Sequence, residues 1–132
     1  MRVIADSSVL IDMWRLRRAP HRLADLRAQL TDPVVPWQVL FEFARGAFSR
    51  GMTEEAIRHF LAPYPVLPAT EAQVWRAARL DADLQLAGKA IGSADTWIAA
   101  AALEENLPVL TRNLAHFQRI PDLQVISYSI LP

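Results

Sequence analysis

Val3-Ile4-Ala5-Asp6-Ser7-Ser8-Val9-Leu10-Ile11 decides how this chain reads. Val3 to Asp6 has the form of a short buried strand, and Ser7 or Ser8 is placed to cap a helix running to about Arg17. An acid thus sits where a strand hands over to a helix, inside otherwise apolar sequence. A carboxylate in that setting is costly to bury unless something pairs with it. Two more stretches share the feature: Val39-Leu40-Phe41-Glu42-Phe43-Ala44-Arg45-Gly46 and Ile91-Gly92-Ser93-Ala94-Asp95-Thr96-Trp97-Ile98-Ala99-Ala100. Three such acids point to a shared hard cation and to phosphoryl chemistry as its use.

Outward from the first stretch, apolar strand-like runs alternate with helical patterns. Pro20 opens a second helix with Leu23, Leu26 and Leu30 on one face, and Val34-Val35 is a brief strand. Pro36 suits the first turn of a third helix reaching Ser49, with Gly51 as its stop. Thr53-Glu54-Glu55 starts a fourth helix, its acids favoured by the N-terminal dipole. Tyr64 to Leu67 reads as a strand. Thr70-Glu71-Ala72-Gln73 matches a capping box for a helix to about Ala87. Gly88 to Gly92 is a loop, and Ser93 caps a helix over 94–105. Pro108 to Thr111 is a strand, Asn113 to Phe117 a turn or short helix, and Leu123 to Ile126 a last strand. This order predicts an α/β fold: one domain over residues 1–132, with a central, mostly parallel sheet of about five strands flanked by helices.

Composition narrows the class. The chain has 132 residues, 52% of them apolar, which is ample for one core. No apolar run approaches the roughly 18 residues that span a bilayer. Asp6 interrupts the N-terminal apolar run before a secretory signal forms. There is no cysteine, so disulfides and thiolate metal sites are excluded. A cytoplasmic setting without a membrane partner fits. The 14 basic residues balance 14 acidic ones, so a strongly basic nucleic-acid coat is absent; Lys89 is the sole lysine and the other 13 are arginines.

Ligands of open parallel sheets bind beyond the carboxyl ends of the strands. Asp6 ends the first strand, Asn113 lies just past the Val109-Leu110-Thr111 strand, and Asp95 is in the first turn of its helix. Glu42 lies well inside the third helix, and all four can face one crevice. Carboxylates held together repel and raise each other's pKa, a penalty that a divalent cation removes. Oxygen ligands suit Mg2+ or Mn2+. Such an ion activates water and polarises a phosphoryl group for in-line attack.

These motifs resemble those of the PIN-domain ribonucleases. Ile4-Ala5-Asp6-Ser7-Ser8-Val9-Leu10-Ile11-Asp12 is similar to their opening, Glu42-Phe43-Ala44-Arg45-Gly46 to the second acidic motif, and the Asp95 stretch to the third. Val109-Leu110-Thr111-Arg112-Asn113-Leu114-Ala115-His116-Phe117 is similar to the fourth, followed by Ile120-Pro121-Asp122-Leu123. The resemblance runs in order over essentially the whole chain, and is strongest to VapC-type toxins of toxin–antitoxin pairs. It implies an Mg2+- or Mn2+-dependent endoribonuclease acting on structured RNA such as tRNA or rRNA and leaving a 5′-phosphate and a 3′-hydroxyl. It also implies a VapB-type antitoxin as partner and a homodimer. By the resemblance, Asp6, Glu42 and Asp95 hold the metal and Asn113 assists. Two departures stand out: Asn113 where relatives often have aspartate, and His116 where many have an acid. Both bear on whether one metal or two are held.

Each residue also has a plainer reading. Asp6 can be an N-cap, Asp95 a first-turn acid, Glu42 the partner of Arg45, and Asn113 a turn residue. Ser7 and Thr111 neighbour the site, where either hydroxyl can orient a water or phosphate. Arg112 is a candidate contact for phosphate or for an antitoxin carboxylate. Asp12 reads as structural or surface. Arg15, Arg17, Arg18 and Arg22 form a basic cluster that either tracks RNA or is a solvated face paired with Asp12 and Asp25. The histidines share no metal-like spacing and read as non-ligands. The four tryptophans read mostly as core, with Trp14 able to line a partner groove. A rival function is a catalytically silent binding module whose acids form a socket for a partner's arginine. Haloacid-type phosphatases and receiver domains fit poorly: Ser8 stands where the first need a second aspartate, and no lysine lies near the last strand for the second.

Overall fold

The computed structural model describes residues 1–130; Leu131 and Pro132, the end of the domain expected over 1–132, lie outside the described residues. The strands are β1 (Val3–Ala5), β2 (Pro33–Pro36), β3 (Val66–Leu67), β4 (Val109–Thr111) and β5 (Val125–Ser127). They form one five-stranded sheet in the order β3-β2-β1-β4-β5, every neighbouring pair parallel. The α/β sheet expected from the alternating pattern is the one observed. The helices are α1 (Ser7–Arg15), α2 (Pro20–Gln29), α3 (Trp37–Ser49), α4 (Glu54–Leu61), α5 (Glu71–Leu86), α6 (Ser93–Glu105) and α7 (Leu114–Phe117).

Central β1 is buried at every residue, as a parallel strand covered on both faces requires. Ile4 pairs with Val34 on one side and Val109 on the other. The chain leaves β1 towards β2 and later returns to β4 on β1's other side. The order therefore reverses between β1 and β4, and a crevice opens there beyond the strand ends. The core is an aliphatic layer in which Ile4, Val9, Leu10, Met13, Val35, Val39, Ile98, Val109 and Leu110 are sealed from water.

Local signals explain most helix ends. Thr53 Oγ1 accepts from the Ala56 amide at 3.1 Å, and Thr70 Oγ1 from the Gln73 amide at 3.2 Å. Gly51, with φ +86°, follows α3 as its stop. Two caps differ from expectation. Asp6, not Ser7 or Ser8, caps α1, because the chain leaves β1 extended at Asp6 and turns helical at Ser7. Ser93 is the first helical residue of α6 and no side chain caps it; the N-cap is Gly92 at φ 92°. There the Thr96 hydroxyl and amide both donate to the Gly92 carbonyl, at 2.7 and 3.0 Å. Alanines 99–102 of α6 are all buried, and these short side chains let α5 pack closely against it. The tryptophans are not uniformly core: Trp75 is 71% exposed on α5, while Trp37 and Trp97 meet edge to face at 5.7 Å. Among the described residues no helix is long and apolar enough to cross a membrane.

Candidate active site

Asp6 stands one residue past β1, at the reversal of strand order, and is 4% exposed. Its carboxylate accepts four hydrogen bonds. Oδ1 accepts from the Ser7 amide at 2.7 Å and the Ser7 hydroxyl at 3.3 Å. Oδ2 accepts from the Ser8 hydroxyl at 3.2 Å and the Thr111 hydroxyl at 2.6 Å. The parallel β1–β4 register delivers Thr111: Ala5 pairs with Leu110, so the next residue of each strand meets across the gap. The Asp6 amide also donates to the Leu110 carbonyl at 3.1 Å.

Thr111 Oγ1 in turn accepts from the Asn113 amide at 2.8 Å, which bends the chain sharply after β4. That bend carries Asn113 and His116 towards α6. His116 Nδ1 lies 2.8 Å from Asp95 Oδ2, and the Asn113 side-chain nitrogen lies 3.4 Å from the same oxygen. His116 Nδ1 also lies 2.9 Å from the Asn113 side-chain nitrogen, so Asp95, Asn113 and His116 form one polar cluster. Burial pushes the Asp95 carboxyl above its ordinary value; the His116 hydrogen bond opposes this, and the negative charge of Asp6 adds to it. Asp6 and Asp95 therefore feel each other across the crevice.

Glu42 is placed differently. It lies on α3 and lines a cavity between α1 and α3 together with Ser7. Among the described residues no group of three or more His, Asp or Glu side chains is assembled to clasp an ion. Of the expected trio, Asp95 feels the charge of Asp6 and lies beside Asn113, while Glu42 lines the α1–α3 cavity with Ser7. The carboxylate oxygens of Asp6 and Asp95 are hard donors whose mutual repulsion a divalent cation would relieve.

Arg112 is held by a buried acid. Its Nε lies 2.6 Å from Asp12 Oδ2 and its Nη2 2.8 Å from Asp12 Oδ1, a bidentate pair. Asp12 is buried at 2% exposure and also accepts from the Tyr128 hydroxyl at 2.6 Å. Burial, then the hydrogen bond to Asp12, pushes the Tyr128 phenol far above its ordinary pKa. Asp12 is thus held by Arg112 and Tyr128 in the interior. Sequence reasoning missed His116 as a partner of Asp95. The available signal was its place three residues after Asn113, where many relatives carry an acid.

A family model described as PIN domain matches residues 3–123. This chain belongs to the PIN-domain family. Among its PIN-domain relatives, ribonuclease VapC1 of Haemophilus influenzae is 30% identical over 125 residues, covering 90% of this chain and 92% of the relative. The structure of VapBC-1 from nontypeable Haemophilus influenzae superposes with a TM-score of 0.78 at 29% identity, covering 96% of this chain and 98% of that one. A member of the VapBC family of toxin–antitoxin systems from Mycobacterium tuberculosis shares the fold, with a TM-score of 0.66, 22% identity and 96% coverage of each chain.

Proposed function

We propose that this PIN-domain protein is an endoribonuclease toxin of the VapC type, hydrolysing phosphodiester bonds in structured RNA such as tRNA or rRNA. Its cofactor is Mg2+ or Mn2+, held by Asp6 and Asp95 with Asn113 assisting. One observation carries the reading: Asp6, held by four donated hydrogen bonds at the reversal of strand order, stands where its charge acts on Asp95. The kinship with VapC ribonucleases supports the choice of RNA.

When bound, the cation supplies Lewis-acid chemistry: it strengthens water as a nucleophile and offsets charge developing on the phosphoryl oxygens. The chain's own residues do the positioning. Ser7, Ser8 and Thr111 fix both oxygens of Asp6 in one orientation. His116 does the same for Asp95. Glu42, on the cavity wall with Ser7, would help hold the cation through its waters. A VapB-type antitoxin is the proposed regulator, a homodimer the proposed assembly and the cytoplasm the proposed location; the VapBC kinship supports all three.

A second reading has one observation in its favour, the lack of a three-residue ion cluster among the described residues. In it the acids are a socket for a partner's arginine and no hydrolysis occurs. Incubating purified protein with end-labelled RNA and Mn2+ separates the two. Cleavage is expected, and Asp6→Asn or Asp95→Asn should each reduce it on the order of a hundredfold or more. Equal cleavage by both variants removes the mechanism at this centre, absence of any cleavage removes the nuclease reading, and binding of an arginine-rich peptide without Mn2+ binding establishes the socket.

A further inference from the structure

Beside the acidic centre, α1 and α3 enclose a cavity of about 200 Å3. Ser7 forms part of its wall and donates its amide to Asp6 at 2.7 Å, so cavity and acidic centre share a residue. Trp14, Arg45, Gly46 and Arg50 supply much of the remaining wall. That volume equals the liquid share of roughly six or seven waters. It suits one planar ring system and is too small for two stacked nucleotides.

Aromatic rings and guanidinium groups pair twice near these helices. Just past α1, the Arg17 guanidinium lies 4.0 Å from the centre of the partly exposed Trp14 ring, which lines the cavity. On α3, Arg45 of the cavity wall has its guanidinium 5.5 Å from the centre of the Phe41 ring, which is 57% exposed and outside that wall. RNA bases that leave the stack settle on aromatic faces and guanidinium planes, and this stacking tolerates any base. Among the described residues Arg45 and Arg50 make no ion pair. Two arginines against the single acid Glu42 leave the wall positive. Arginines of this kind contact phosphate and set register.

We infer that this cavity seats one unstacked RNA base next to the scissile phosphate, with Trp14 as its platform and Arg45 and Arg50 on the flanking phosphates. The inference rests on the nuclease reading and deepens it by assigning the α1–α3 cavity to the base beside the cut. An antitoxin side chain is the competing occupant. A nucleotide matches both the aromatic platforms and the positive rim, whereas a single apolar side chain matches only the first.

Gly46 gives the test, because a Cβ built there meets nothing within 4 Å. Gly46→Leu therefore fills the cavity from a helical position without striking backbone. Fluorescence anisotropy on the full chain carrying Asp6→Asn compares labelled single-stranded RNA with a sugar–phosphate chain lacking its bases. Gly46→Leu should weaken binding of intact RNA about tenfold, within what one stacked base contributes, and leave the abasic chain unaffected. Arg50→Glu should weaken both and lower the salt slope by about one. With Asp6 restored and Mn2+ present, sequencing of cleaved ends should show a base preference beside the cut that Gly46→Leu flattens. If Gly46→Leu fails to fold, Ile11→Trp fills the same cavity from an exposed position on its wall.

Unchanged binding of intact RNA by a folded, filled variant overturns the inference. So does loss of VapB-type antitoxin binding with RNA binding intact, which assigns the cavity to a peptide. If filling weakens RNA binding but the unsubstituted chain never cuts RNA, the base seat stands and the nuclease reading falls. If the chain cuts RNA and filling changes neither the rate nor the base preference, the nuclease reading stands and the base seat falls.

Discussion

The Thr111 hydroxyl donates to Asp6 Oδ2 at 2.6 Å although 105 residues separate them along the chain. Thr111 Oγ1 itself accepts from the Asn113 amide, so one buried hydroxyl holds both the Asp6 carboxylate and the bend after β4. Removing it while keeping the shape isolates its role. Thr111→Val should cost about 1–3 kcal/mol, because a carboxylate oxygen and a backbone N–H lose a buried partner. Urea denaturation reads the stability, and cleavage with Mn2+ should fall with it. A variant as stable as the original would show that water replaces the hydroxyl.

Asp6 has two separable tasks. Asparagine caps a helix about as well as aspartate, whereas alanine does not. Asp6→Asn should therefore keep the melting temperature near that of the original chain while losing cleavage. Asp6→Ala should lose cleavage and in addition about 1 kcal/mol of stability from α1. Comparing the two melting curves checks this, and equal curves would deny Asp6 its capping role.

The raised pKa of Asp95 has a sign that can be followed. Its folded value lies above the ordinary 3.8, so the folded state binds more protons between the two values. Stability then falls as pH rises through that window, the reverse of a salt-bridged carboxylate. At neutral pH without metal, Asp95→Asn should raise the melting temperature, since the net environment disfavours the charge despite His116. Mn2+ should stabilise the original chain by about 2.7 kcal/mol at a hundred times its Kd, and Asp95→Asn far less. Melting curves with and without Mn2+ or chelator test both points; a chain indifferent to Mn2+ would count against the metal.

Asp12, Arg112 and Tyr128 tie α1 to the ends of β4 and β5. Arg112→Ala leaves the buried Asp12 charge with Tyr128 alone and should cost about 3–5 kcal/mol at most, less to the extent that the half-exposed arginine is solvent-screened. Tyr128→Phe should cost about 1–2 kcal/mol, as Arg112 still pairs with Asp12. The double variant should depart from additivity because all three groups share one carboxylate. Additive losses would mean the two contacts act independently.

Much of the fold was legible in the sequence because its signals are local. The capping signals at Thr53 and Thr70, the stop at Gly51 and the alternation of apolar runs each depend on residues a few positions apart. Parallel pairing followed, since crossover helices leave strands no other arrangement. Ser93 shows the limit of such reading: it has the right side chain for a cap, but Gly92 turns the backbone one residue earlier and takes the position.

Sequence alone thus determined the α/β sheet, the helix starts and the placing of Asp6 and Asn113 at strand ends, because hydrophobic period and capping chemistry act over one or two turns. Tertiary structure decided the partners: Thr111 for Asp6, His116 for Asp95, Arg112 and Tyr128 for Asp12, and a separate cavity wall for Glu42. A buried charge takes whichever donors the packed helices and sheet register bring within about 3 Å, and that neighbourhood does not exist until the whole chain has closed around it.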